Sequence, residues 1–75
     1  MNWETHEVWQ WLNTSEEIYH EVDELIQASP NPAERLCDWV QKGNAPEGLY
    51  KSFERPPKSS FAHVDWEALI QSWIA

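Results

Sequence analysis

His6-Glu7 and His20-Glu21 are the residues whose types and spacing first suggest chemistry. A helical His-Glu pair opens the H-E-x-x-H motif, in which two imidazoles hold zinc and the glutamate acts as base. The motif needs a second histidine four residues after the first, and those positions hold Gln10 and Glu24. His63 and Cys37 complete the conventional zinc ligands other than carboxylates, and no ligand set can be drawn from them. His6 and His20 fall in acidic helical segments, where a solvated position accounts for both. Cys37 is the only cysteine, which excludes an internal disulfide, and its place on an apolar stripe reads as core filling. With Gly43 and Gly48 as the only glycines, there is no phosphate-cradling loop and no G-x-S-x-G turn. The many paired carboxylates are what an acidic helix produces by chance. The expectation is a protein that is not an enzyme and needs no metal or cofactor.

The carboxylates themselves are the stronger lead. No Lys or Arg occurs before Arg35, whereas Glu4, Glu7, Glu16, Glu17, Glu21, Asp23, Glu24 and Glu34 all do. From Arg35 onward five acids meet five bases, so the whole net charge of −8 resides in the first 34 residues. Such a field repels nucleic acid and anionic membrane and speeds encounters with basic surfaces. On a helix, carboxylates at i, i+3 or i+4 stand roughly 5–6 Å apart, a spacing comparable with that of phosphates along a nucleic-acid strand. Glu16, Glu17, Glu21, Asp23 and Glu24 can therefore imitate DNA backbone and occupy a basic groove. The plain alternative is the solvated side of an amphipathic helix. That alternative usually mixes Lys with Glu, because opposite charges at i, i+4 stabilise and like charges cost a similar few tenths of a kcal/mol. Here every such neighbour is acidic.

The elements that must position these groups are legible from caps and apolar spacing. Asn2 can cap a first helix running to about Leu12, with Val8, Trp11 and Leu12 on one face. Thr14 and Glu17 form a T-x-x-E capping box for a second helix, whose Ile18, Val22, Leu25 and Ile26 face inward with Tyr19 at their edge. Pro30 ends it. Asn31-Pro32-Ala33-Glu34 starts a third helix with Ala33, Leu36, Cys37 and Val40 buried and Trp39 flanking, closed by Lys42-Gly43. Pro46 to Phe53 reads as a short fourth helix weakened by Gly48, and residues 54–60 as the connector. Asp65 caps a last helix with Trp66, Leu69, Ile70 and Trp73 on one face. The expected fold is all-α, one small domain of four or five short helices.

A chain of 75 residues buries only roughly 60% of its unfolded surface. Its six tryptophans compensate, since each buries on the order of 200 Å². Trp11, Trp66 and Trp73 lie on apolar stripes and are expected in the core. Trp3 and Trp9 lie off the first helix's stripe. Trp3 is expected to tuck inward, and Trp9, beside the acids, is a candidate interaction hot spot. No apolar run approaches the ~20 residues of a membrane span. The Met1-Asn2-Trp3-Glu4 start lacks the basic-then-apolar character of a signal peptide, so a soluble protein of a reducing cytoplasm is expected.

Asn2-Trp3-Glu4-Thr5, Val8, Trp11-Leu12-Asn13 and Tyr19 resemble the opening of small phage- and plasmid-borne proteins that begin N-Y-E-T-W-x-V-x-L-W-L-x-N. Gly48-Leu49-Tyr50 and Val64-Asp65-Trp66-Glu67-Ala68-Leu69-Ile70 with Trp73 resemble that group's G-L-Y and V-N-W-x-x-I-A segments. The chain departs from it at Trp3 (usually Tyr), at His6 (usually Trp) and at Trp9-Gln10. The resemblance implies a shared helical fold and a mobile-element accessory protein, and it brings no biochemical activity. The leading expectation is an acidic inhibitor or modulator, a DNA mimic in the strict form, acting in the host cytoplasm on a nucleic-acid-handling or defence protein. The candidate partner-binding residues are Glu16, Glu17, Glu21, Asp23, Glu24 and Trp9. The alternative is a self-associating module, a homodimer for instance, in which the acidic half of one copy meets Lys51, Arg55 and Lys58 of another. Direct nucleic-acid binding is not expected.

Overall fold

A computed structural model describes residues 2–75. Met1, the first residue of the stretch read for a targeting signal, lies outside the described residues. Asn2 caps α1 (Trp3–Leu12) as expected: its Oδ1 accepts from the Thr5 amide at 2.9 Å. Its Nδ2 also donates to the His63 carbonyl at 2.7 Å, so the cap ties the chain start to a segment 61 residues away. Thr5 adds a second tie. Its side chain is fully buried, and its Oγ1 accepts from the Asp65 amide at 2.8 Å. Asp65 in turn caps α5 (Trp66–Ile74) by accepting from the Ala68 amide at 3.0 Å. One short network thus sets α1 against the start of α5.

Between them run α2 (Glu16–Ala28), α3 (Pro32–Gln41), α4 (Glu47–Glu54) and a single 3-10 turn, Phe61–His63. Among the described residues there are five α-helices and no strand. The main packing partners are α2 with α3, α3 with α5, and α1 with α4. Val8 and Leu12 of α1, Val22 of α2, Leu36 and Val40 of α3, Leu49 of α4 and Leu69 of α5 are all completely buried. Full burial of each is worth about 1.5–3 kcal/mol. Among the described residues, no helix is long and apolar enough to cross a membrane.

Several local expectations need correction. The Thr14–Glu17 capping box does not form, because Thr14 serves the helix before it. Its hydroxyl donates to the Gln10 carbonyl at 2.9 Å, and α2 begins behind Ser15 without a side-chain cap. Asn31 likewise precedes α3 without a side-chain cap bond. Trp39 is buried rather than flanking, while Cys37 is only half-buried. Trp11 and Trp66 are half-buried and pack on the core from outside it. Trp3, expected to tuck inward, is 52% exposed.

Gly48 is the most informative correction. Rather than weakening α4, it makes room. A Cβ at Gly48 would overlap the Trp11 indole, with Cζ2 at 2.6 Å and Cζ3 at 2.8 Å. Glycine permits the close approach of α4 to α1. Tyr50 then secures the turn before α4, donating to the Val40 carbonyl at 2.6 Å and accepting from the Ala45 amide at 3.0 Å. Burial pushes its phenol pKa up, against the lowering effect of the Ala45 amide.

Candidate functional site

Burial of Val22 and Ile26, with Ile18 and Leu25 packed beside them, fixes which side of α2 faces water. Glu16, Glu17, Glu21 and Glu24 are exposed and Asp23 is half-buried. At about 100° per residue, these acids divide into two strips. Glu17, Glu21 and Glu24 form an outer strip. Glu16, His20 and Asp23 form an inner one, toward Tyr19.

The two strips are employed differently. On the inner strip, Glu16 faces the His20 imidazole at 3.6 Å, an ion pair when that ring is protonated. Asp23 Oδ1 accepts from the Trp73 indole N–H at 3.1 Å, tying α2 to α5. On the outer strip, Glu17, Glu21 and Glu24 have no hydrogen bond and no cation within 4.0 Å among the described residues. Lys42 pairs with Asp38 at 2.9 Å, Arg35 with the same Asp38 at 3.8 Å, and Lys51 with Glu47 at 3.4 Å, all on their own helices. The helix dipole accounts for Glu17 alone of the outer strip. Carboxylates are favourable in the first turn, where Glu16 and Glu17 sit, and unfavourable toward the C-terminal end, where Glu24 sits.

Trp9 joins this region through aromatic contacts. It is half-buried and meets Trp73 edge-on, with ring centres 5.5 Å apart and planes at 79°. Tyr19 stacks on the same Trp73 at 4.8 Å and 22°, and remains 39% exposed. Trp9 and Tyr19 therefore share the buried Trp73, beside the inner strip. The structure brings Asp23 and Trp9 onto one aromatic cluster and sets Glu17, Glu21 and Glu24 on the far side of the same helix. Tyr19 is the residue of this region that sequence reasoning undervalued. Its place at the edge of the apolar stripe was the available signal.

The acids of α1 are spent internally. Glu7 Oε2 accepts from Ser52 Oγ at 2.7 Å and from the Trp11 indole N–H at 3.0 Å. Glu4 Oε2 accepts from Ser59 Oγ at 2.6 Å, and this bond, with help from its own backbone amide, holds the Glu4 carboxyl below the usual glutamate range. Together with exposed Trp3 and connector residues 55–58, these groups line a cleft of about 580 Å³. Sequence reasoning missed it, because the serine donors lie 45 and 55 residues away in the chain.

Among the described residues, no group of three or more His, Cys, Asp or Glu side chains is arranged to hold a metal ion. The Cys37 thiol pKa is raised by partial burial and by the neighbouring Asp38 and Glu34 carboxylates, a setting opposite to that of an activated nucleophile. No protein-family model, curated protein or solved structure matches the chain.

Proposed function

We propose that this chain is a non-enzymatic binding protein that engages a basic protein surface through the solvent side of α2. The observation that carries this reading is the outer strip of Glu17, Glu21 and Glu24, exposed and without a cation or hydrogen-bond donor on its carboxylates among the described residues. Like charges one turn apart cost a helix a few tenths of a kcal/mol per pair, and among the described residues that cost is offset only at Glu17, in the first turn. A complementary surface offsets the rest. The turn-by-turn spacing of the three carboxylates supports the stricter form, a mimic of nucleic-acid backbone that blocks a basic groove. Tyr19 and Trp9 lie instead beside the inner strip of Glu16 and Asp23, so an aromatic anchor of the kind found at interaction hot spots serves a partner that wraps α2 past its outer strip. The phage- and plasmid-like opening supports a mobile-element inhibitor or modulator whose target is a host nucleic-acid-handling or defence protein of the cytoplasm.

The test replaces Glu17, Glu21 and Glu24 together with Gln. Gln has nearly the same helix propensity, so the fold is kept. Binding to the host protein captured by the parent chain is then expected to weaken, mainly through a slower on-rate, with a flatter salt dependence. The control, Asp65→Asn with Glu67→Gln, removes acids elsewhere while Asn still caps α5. It is expected to bind like the parent. Undiminished binding of the triple variant at low salt would reduce the charge asymmetry to a solubility feature.

Self-association is the second reading, favoured by Arg55 and Lys58, which have no carboxylate within 4.0 Å among the described residues. It predicts dimers or larger species whose mass falls as salt rises. A monomer at low and high salt removes it.

A further inference from the structure

The cleft beside α1 combines features that the α2 reading does not use. Its walls are Trp3, Glu4 and Glu7 from α1, Ser52 from α4, and Arg55, Pro56, Pro57, Lys58 and Ser59 from the connector. At about 580 Å³ it falls within the ~300–1,000 Å³ typical of ligand pockets. Glu4 and Glu7 are each held through Oε2 by neutral side-chain donors, so their positions are fixed while Oε1 takes no side-chain donor among the described residues. Arg55 and Lys58 line the same cleft, and among the described residues neither approaches a carboxylate within 4.0 Å. Two anions and two cations thus share one recess without neutralising each other. Trp3 adds an exposed indole, backed by the Phe53 ring with centres 5.4 Å apart.

We infer that this cleft binds a short peptide segment carrying both a basic and an acidic side chain. The basic group sits on the Trp3 indole, where a cation–π contact adds to the free oxygens of Glu4 and Glu7. The acidic group meets Arg55 and Lys58. Pro56, Pro57 and the indole cover the apolar body between them. A ligand of one sign leaves half of the charged lining unmatched, and a neutral ligand leaves all four charges unmatched. The mixed-charge segment alone complements both walls. None of the α2 acids lines the cleft, so this site stands or falls independently of the function proposed above.

The experiment uses the intact chain and capped tripeptides of one length: Arg-Leu-Asp, Arg-Leu-Asn, Gln-Leu-Asp and Gln-Leu-Asn. Binding is followed by two-dimensional NMR up to about 10 mM peptide, a range that detects millimolar affinity. Arg-Leu-Asp is expected to bind tightest, by about fivefold over either singly charged peptide, the upper range for a partly exposed ion pair. The shifts are expected at the Trp3 indole N–H and at the amides of Glu4, Glu7, Ser52 and Ser59. Arg55→Ala with Lys58→Ala, two exposed positions, should abolish the preference for Asp over Asn and retain that for Arg over Gln. The Glu17, Glu21 and Glu24 triple variant should bind the tripeptides like the parent. No shifts at any concentration, equal affinity for all four peptides, or an Arg-Leu-Asn peptide binding as well as Arg-Leu-Asp would each overturn the proposal.

Discussion

The acids of α1 and those of α2 are alike in type and helical spacing and opposite in use. Glu4 fastens α1 to the connector through Ser59, and Glu7 fastens it to α4 through Ser52. Glu17, Glu21 and Glu24 fasten nothing among the described residues. On α2 the carboxylate tied to the fold is instead Asp23, next to Glu24 in the chain, which accepts from Trp73. A carboxylate's role is thus set by whether a distant donor folds back onto it, and not by its place on the helix. On α1 both carboxylates are hydrogen-bonded within the fold, whereas on α2 one of them, Asp23, is, and Glu17, Glu21 and Glu24 point their charge outward.

The largest effect that sharpens this contrast is at Trp73. It is 9% exposed and supports both Tyr19 and Trp9. Trp73→Ala is expected to cost about 3–5 kcal/mol, the range for truncating a large buried aromatic. In so small a domain that can approach the total stability. Trp73→Phe keeps much of the packing and loses the bond to Asp23, at about 1 kcal/mol. Thermal melts of the two variants separate packing from hydrogen bonding. If Trp73→Phe is as damaging as Trp73→Ala, the Asp23 bond rather than the aromatic cluster holds α2.

Gly48→Ala comes next and probes the α1 side. In an exposed helix interior this change stabilises by about 1 kcal/mol. At Gly48 the new Cβ meets the Trp11 ring, which itself donates to Glu7. Overpacking typically costs about 1–3 kcal/mol, occasionally more, so a net loss of melting temperature is expected. A variant more stable than the parent would mean that the α1–α4 seam gives way easily.

What the sequence made legible follows the range of the interactions. The Asn2 and Asp65 caps, the Val8–Leu12 and Leu69–Ile70–Trp73 stripes, and the all-α class all rest on neighbours within a turn or two. The local signals that failed had a competitor. Thr14 had the Gln10 carbonyl behind it as well as a helix ahead. Gly48 looked like a weak point until the Trp11 ring lay over it. Trp3 was off the stripe, and its exposure followed from that; the expectation that it would wrap inward ignored the connector, which leaves the cleft open. For the candidate site, exposure of Glu17, Glu21 and Glu24 was readable from periodicity. The division into two strips with different employment was not, because Trp73 lies 50 residues beyond Asp23.

A matched pair of truncations tests the contrast directly. Glu7→Ala removes the acceptor for Ser52 and Trp11 and is expected to cost about 1–2 kcal/mol, reduced from the full value of a charged bond because the site is partly solvated. Glu21→Ala removes only like-charge neighbours and is expected to change stability by a few tenths of a kcal/mol, in the stabilising direction. Denaturant midpoints at constant slope measure both. Equal losses at the two positions would show that α2's acids are engaged in the fold after all.

The smallest effect lies at Glu4 and concerns titration rather than stability. Its carboxyl is held below the usual glutamate range chiefly by the Ser59 hydroxyl, then by its own backbone amide and weakly by His63, against a raising effect of partial burial. A folded-state pKa below the unfolded one means that the bond's contribution is present above the unfolded value and fades as pH falls through the folded one. Ser59→Ala removes the hydroxyl and keeps the Ser59 backbone bond to the Phe53 carbonyl, at 3.0 Å in the parent. The Glu4 carboxyl pKa is then expected to rise toward the ordinary glutamate range, read from its side-chain carbon shift across an acid titration. If Glu4 titrates unchanged without the hydroxyl, the connector does not hold that carboxylate in place. The fixed anion on which the cleft's selectivity for a basic group depends would then be lost on one of its two positions, leaving Glu7 alone to supply it.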